Sequence, residues 1–126
     1  MPLSVSEPLA VADSLAAFTG EPYDRSAISR AYYAAFHHAK QWHDALPQPG
    51  HDIGPRGGEH QTLINQLKNP DATLGPISAR DSRIFGAKLQ VMRERRVKCD
   101  YFLTAVVPRV DCDTQLLQAK DAVSKY

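Results

Sequence analysis

Residues 25 to 42 read RSAISRAYYAAFHHAKQW. Within this stretch and just beyond it, Ile28, Ala31, Ala35, Ala39, Trp42 and Leu46 recur at spacings of three and four, with Tyr32 alongside. That is the period of one helical face, so these residues define a buried seam in which small alanines permit close helix approach. Arg30, Tyr33, His37, Gln41 and Asp44 recur with the same spacing on a different face. Packing and polar groups are thereby segregated on one helix. Asp24 or Ser26 is expected to cap it, and PQPG stops it at about Leu46.

Working outward, a first helix is expected from Ser4 or Ser6 to near Gly20. SVSE supplies a cap serine with a glutamate three residues on, and Val11, Leu15 and Phe18 give it a short apolar stripe. On the other side, residues 47 to 58 hold three prolines and four glycines and read as a surface loop. A third helix follows from about Glu59 to Asn69, with Leu63, Ile64 and Leu67 apolar, and NPDATLGP ends it. The longest helix spans about Ile77 to Leu103, with Gly86 inside it costing about 1 kcal/mol relative to alanine. Asp111 or Asp113 is expected to cap a fifth helix carrying Leu116, Ala119, Val123 and Tyr126 on one face. FLTAVV is the only stretch that reads ambiguously as strand. The expected fold is all-α, an up-and-down bundle of about five helices in a single domain over residues 1–126.

Composition fits an ordinary folded protein: 126 residues, 43% hydrophobic and 23% charged. No apolar run approaches membrane-spanning length and the N-terminus lacks a basic leader, so a cytoplasmic protein with no membrane partner is expected. Cys99 and Cys112 stand in no metal or redox spacing and are expected as reduced thiols, a disulfide between them remaining open. Net charge is +1, but residues 77–103 carry +4 and the remainder −3. A basic helix of this kind offers Arg93, Arg95 and Lys98 to a nucleic-acid backbone, or to water.

The long helix has one irregularity. Phe85, Leu89, Met92, Cys99 and Leu103 follow i, i+4, i+7, i+14 and i+18, and Arg96 occupies the missing i+11 place. A guanidinium there needs an anion. Asp100, four residues on, can supply it as a structural pair; alternatively Arg96, with Arg30, faces a phosphate-sized anion in a cleft between two helices. His37 shares a face with Arg30 and Tyr33 and is either functional or a plain surface histidine. His60 begins the third helix, where the loop can bring it to the others or leave it as a cap-region side chain. His43 and His51 belong to no constellation and are expected to be solvated. No metal or other cofactor is implied, since neither His37 nor His38 has a histidine or carboxylate at i+4. GHDIGPRGGEH lacks the preceding strand and the Gly-Lys-Ser/Thr of a phosphate loop. Ser29, Cys99 and Cys112 come with no base that spacing can locate.

SAISRAYYAAFHHAK is similar to the second-helix signature of HEPN domains, and MRERRVKCDY resembles the late arginine and Asp-Tyr pair of a small stand-alone branch of that family. With the helix order and the loop before GEHQTLINQL, the resemblance spans nearly the whole chain. It implies a dimerising helical bundle acting on RNA or nucleotide phosphate in a toxin-antitoxin or defence setting, with an antitoxin or a nucleotidyltransferase as cognate partner. Nuclease members pair an arginine with a histidine four to six residues later. Here VKCDY follows Arg96 and no histidine occurs beyond His60, so Asp100 stands in that region. The resemblance places Arg96 at the family's arginine position and Arg30 and Tyr33 at its second-helix polar positions. Taken with the residue pattern above, Arg96, Asp100 and His37 are the catalytic candidates, and Arg30, Tyr33, His60, Arg93, Arg95 and Lys98 the RNA or phosphate-binding candidates. The alternatives are a metal-independent ribonuclease using Arg96 with Asp100 or a histidine from another helix, and a non-catalytic dimerising interaction module.

Overall fold

The computed structural model describes residues 6–17, 20–101 and 107–126. Among them lie five helices and no strand: α1 (Ser6–Ala16), α2 (Glu21–Asp44), α3 (Glu59–Lys68), α4 (Pro76–Tyr101) and α5 (Arg109–Lys125). The all-α bundle expected from the apolar period is therefore what forms. No helix among the described residues is long and apolar enough to cross a membrane. Phe102 to Val106, most of the ambiguous FLTAVV, and Phe18 of the first stripe lie outside the described residues.

The helix α2 is the centre of the bundle and packs against each of the other four. Its seam is buried as expected at Ile28, Ala31, Ala35 and Ala39, and the burial extends to Ala27, Tyr32, Ala34 and Phe36. Trp42 is half-buried against Phe85 and Tyr126, and Leu46 lies past the helix end. The start differs from expectation. Gly20 is the N-cap, with φ +119 that a side chain would resist, and Pro22 fixes the first turn. Asp24 is instead buried inside the helix, where its Oδ1 accepts from Arg109 Nη1 at 2.8 Å; Arg109 Nη2 also donates to the Ala16 carbonyl at 2.7 Å. One guanidinium thus ties α1, α2 and α5 together.

The fifth helix likewise starts earlier than expected. Pro108 takes the N-cap place, so Asp111 sits in the first turn and Asp113 pairs with Arg109 across one turn at 3.2 Å. On α1 the buried residues are Ala12 and Ala16, with Leu9 and Leu15 half-buried, while Val11 is exposed. That short helix rotates its small residues onto α2, because small side chains let the two backbones approach.

The loop before α3 is held to the bundle. Asn65 donates from Nδ2 to Asp52 Oδ1 and to the Pro55 carbonyl, both at 2.8 Å, and Asn69 Nδ2 reaches the Ile53 carbonyl at 2.9 Å. His43, expected in solvent, is buried and its Nε2 accepts the Gly50 N–H at 3.0 Å. Burial lowers its pKa, with Lys40 adding to the effect and Asp44 opposing it, so it remains a neutral acceptor. Gly50 has no alternative, since a Cβ there would lie 1.8 Å from the Gln66 carbonyl oxygen. His51 is exposed and pairs with Asp71 at 3.0 Å.

Gly86, counted as a cost in the sequence, is where α3 and α4 touch. A Cβ there would stand 2.9 Å from Leu67 Cβ and 3.1 Å from Lys68 N.

Candidate functional site

The interrupted stripe of α4 is buried at Phe85, Leu89, Met92 and Cys99; Leu103 lies outside the described residues. At the interruption, the Arg96 side chain is 14% exposed. Its Nε donates to Asp100 Oδ2 at 2.7 Å and its Nη2 to the Tyr33 hydroxyl at 3.0 Å. Its guanidinium carbon lies 5.2 Å from the Tyr33 ring centroid, 5.8 Å from Tyr101 and 5.9 Å from Tyr32. Aromatic faces and a carboxylate thus replace the hydrocarbon environment that the rest of the stripe meets. Asp100 Oδ2 also accepts from Ser29 Oγ at 3.3 Å.

A second group of rings adjoins this one. His60 stacks on Phe36 with centroids 4.1 Å apart, and its Nδ1 lies 2.6 Å from the Tyr32 hydroxyl. Burial raises the Tyr32 pKa, so the phenol keeps its proton and the two groups share one hydrogen bond. Burial first, then the Arg96 and Arg93 charges and His37, lower the His60 pKa against Glu59, which holds the ring neutral. His37 is exposed and stacks on Tyr33 at 6.3 Å. Arg96, Tyr33, Asp100, His37 and His60 are therefore brought together.

The remaining candidates divide. Arg30 is exposed on the wall of an open cleft between α1, α2 and the last turn of α4. Arg93 is half-buried and donates from Nη1 to Gln61 Oε1 at 2.8 Å, bridging to α3, while its buried Nε has no partner among the described residues. Arg95 is not brought to the site. It turns to α5, donating from Nη1 to Gln115 Oε1 at 3.0 Å and to Gln118. Gln115 is itself buried and donates to the Met92 carbonyl at 2.9 Å. Lys98 is also apart, two residues and so about 200° around the helix from Arg96.

The cleft has a volume of about 810 Å³, within the usual range for a small-molecule site of about 300–1,000 Å³. Val11, Leu15 and Pro22 give it an apolar wall; Arg25, Ser26, Ser29, Arg30, Tyr33 and Asp100 give it a polar one. Arg25 Nη1 donates to the Cys99 carbonyl at 2.9 Å, a cation placed at the negative end of α4. Arg96 does not line the cleft. It stands behind Tyr33 and Asp100 and fixes both. Cys99 also lines the cleft, but burial pushes its thiol up to about 11, so it supplies no thiolate at neutral pH. Both cysteines are free.

Arg25 was not among the residues singled out in the sequence. Its position four before Ser29 and eight before Tyr33 placed it on the same side of α2, which is the signal available there. Among the described residues, no cluster of three or more histidine, cysteine or carboxylate side chains could hold a metal ion. Comparison with known proteins found no matching family model, no matching curated protein and no matching solved structure.

Proposed function

We propose that the cleft binds a nucleotide phosphate, free or at an unpaired position of an RNA strand, and that the chain is a HEPN-like protein of a toxin-antitoxin or defence system. The observation that carries the reading is the pairing of two guanidiniums, Arg25 and Arg30, with the apolar wall of Val11 and Leu15 and the ring of Tyr33 in one cleft. A phosphate needs the first and a base needs the second. Arg30 supplies the sharper charge, since it is exposed and has no ion pair among the described residues.

The test is fluorescence anisotropy with a short labelled single-stranded RNA, competed with a mononucleotide, at two salt concentrations. Arg30→Glu is expected to weaken binding at least tenfold while leaving the fold intact, and to flatten the salt dependence. Unchanged affinity in that variant would remove the cleft from consideration.

One observation favours a second reading, metal-independent RNA cleavage. The neutral His60 imidazole belongs to the same ring cluster as Arg96 and His37, so a proton-transfer group lies near a cation. Cleavage of RNA in EDTA that disappears in both Arg96→Ala and His60→Ala supports it. Binding without cleavage leaves the first reading standing. If neither is seen and Arg96→Ala lowers stability alone, the chain is an interaction module.

A further inference from the structure

Where α2 meets the last turn of α4, the cleft is lined by Ser29, Tyr33 and Asp100. The Asp100 side chain is 30% exposed and gives one oxygen to the fold: Oδ2 accepts from Arg96 Nε at 2.7 Å and from Ser29 Oγ at 3.3 Å. Its Oδ1 accepts from no group among the described residues. A carboxylate only accepts, so the hydrogen between these two side chains belongs to the serine. With that hydrogen committed to Asp100, the Ser29 oxygen meets the cleft with lone pairs alone. Two acceptors therefore stand side by side, and Arg96 behind them holds the carboxylate in place. Arg30 is about 100° around α2 from Ser29, so its positive charge adjoins this edge without covering it.

We propose that Asp100, together with Ser29, makes the cleft selective for guanine. The inference rests on the nucleotide reading above and adds the base to it. An unpaired base is read along its Watson–Crick edge, and the four bases differ there in the order of donors and acceptors. Guanine carries a ring N–H beside an exocyclic amino group, two donors in a row. Adenine and cytosine each set an amino group beside a bare ring nitrogen, whose lone pair would point at an acceptor of the cleft. Uracil has one N–H flanked by two carbonyl oxygens. Against an edge of acceptors, guanine alone of the four leaves no two lone pairs opposed. Asp100 Oδ1 then takes one donor and Ser29 Oγ the other, while the guanidiniums remain for phosphate and Val11 and Leu15 for the face of the ring.

The test is isothermal titration calorimetry of the full chain with GMP, IMP, AMP, CMP and UMP at low salt. GMP is expected to bind roughly tenfold or more tighter than AMP, CMP or UMP. IMP, which keeps the ring N–H and lacks the amino group, should fall between. Asp100→Asn retains an oxygen for Arg96 Nε and turns an amide donor toward the cleft in place of Oδ1. That variant, with circular dichroism to check its fold, should lose the preference for GMP and gain xanthosine monophosphate, which has a carbonyl oxygen where guanine has its amino group. A purely structural carboxylate would not exchange one base for another. A short oligouridine with one central guanosine tells the source: binding tighter than GMP places the base in a strand, and binding no tighter places it in a free nucleotide, guanine being read in either case. Equal affinity for the four bases, preference for another base, or a GMP preference unchanged in Asp100→Asn would overturn the inference and leave phosphate binding in the cleft standing. Binding of none of these nucleotides would overturn the phosphate reading and this inference with it.

Discussion

Arg96 and Tyr33 are joined in two ways: the guanidinium donates to the phenol oxygen at 3.0 Å, and its carbon lies 5.2 Å from the same ring's centroid. The tyrosine therefore serves as acceptor and as π-system for one cation, while also lining the cleft. Among the described residues, removing Arg96 leaves Asp100 with the Ser29 hydroxyl at 3.3 Å.

Arg96→Ala should accordingly destabilise the fold by about 1–3 kcal/mol, read as a lower urea midpoint. Arg96→Lys should recover only part of this, since an ammonium cannot donate to Asp100 and Tyr33 while lying flat between rings. Full recovery with lysine would show that charge alone matters at this position.

Gly86→Ala offers the reverse of what helix propensity suggests. Alanine is the better helix former by about 1 kcal/mol, yet its methyl group would stand 2.9 Å from Leu67 Cβ. Overpacking of this kind costs about 1–3 kcal/mol. A net loss of thermal stability is expected, and a gain would mean that α3 shifts freely.

Stability should fall in mild acid. His43 and His60 both have folded pKa values below the ordinary 6.5, so each binds its proton more weakly folded than unfolded. Their contribution is complete above about 6.5 and declines as pH drops beneath it. Urea unfolding across this range should show the decline. His43→Gln, which keeps an acceptor for the Gly50 N–H without a titrating ring, should reduce it. An unchanged slope would assign the effect elsewhere.

Native protein should react slowly with a thiol reagent. Cys99 and Cys112 are buried, and burial raises the pKa of both thiols. Ellman's reagent should release little colour until denaturant is added, then two equivalents, matching the two cysteines of the chain.

What could be read from the sequence was local. The helical period of α2 and the i,i+4 step from Arg96 to Asp100 depend only on neighbours along one helix, and both appear in the fold. The roles of Arg25, Arg95 and His43 depend on what another segment delivers: the end of α4 to Arg25, Gln115 and Gln118 of α5 to Arg95, and Gly50 to His43. No periodicity announces such meetings. The caps failed for a related reason. Asp24 and Asp113 have the chemistry of a cap, but Arg109 recruits both, and Gly20 and Pro108 start the helices instead.

A bundle in which α1, α4 and α5 lean on α2, and α3 on α4, has no half that can stand by itself. The amides of residues 27–39 should be the last to exchange with deuterated water, and only by opening the whole molecule. A chain cut within residues 47–58 should therefore keep its shape only while both fragments remain together, each being a helix set stripped of the surface that ordered it.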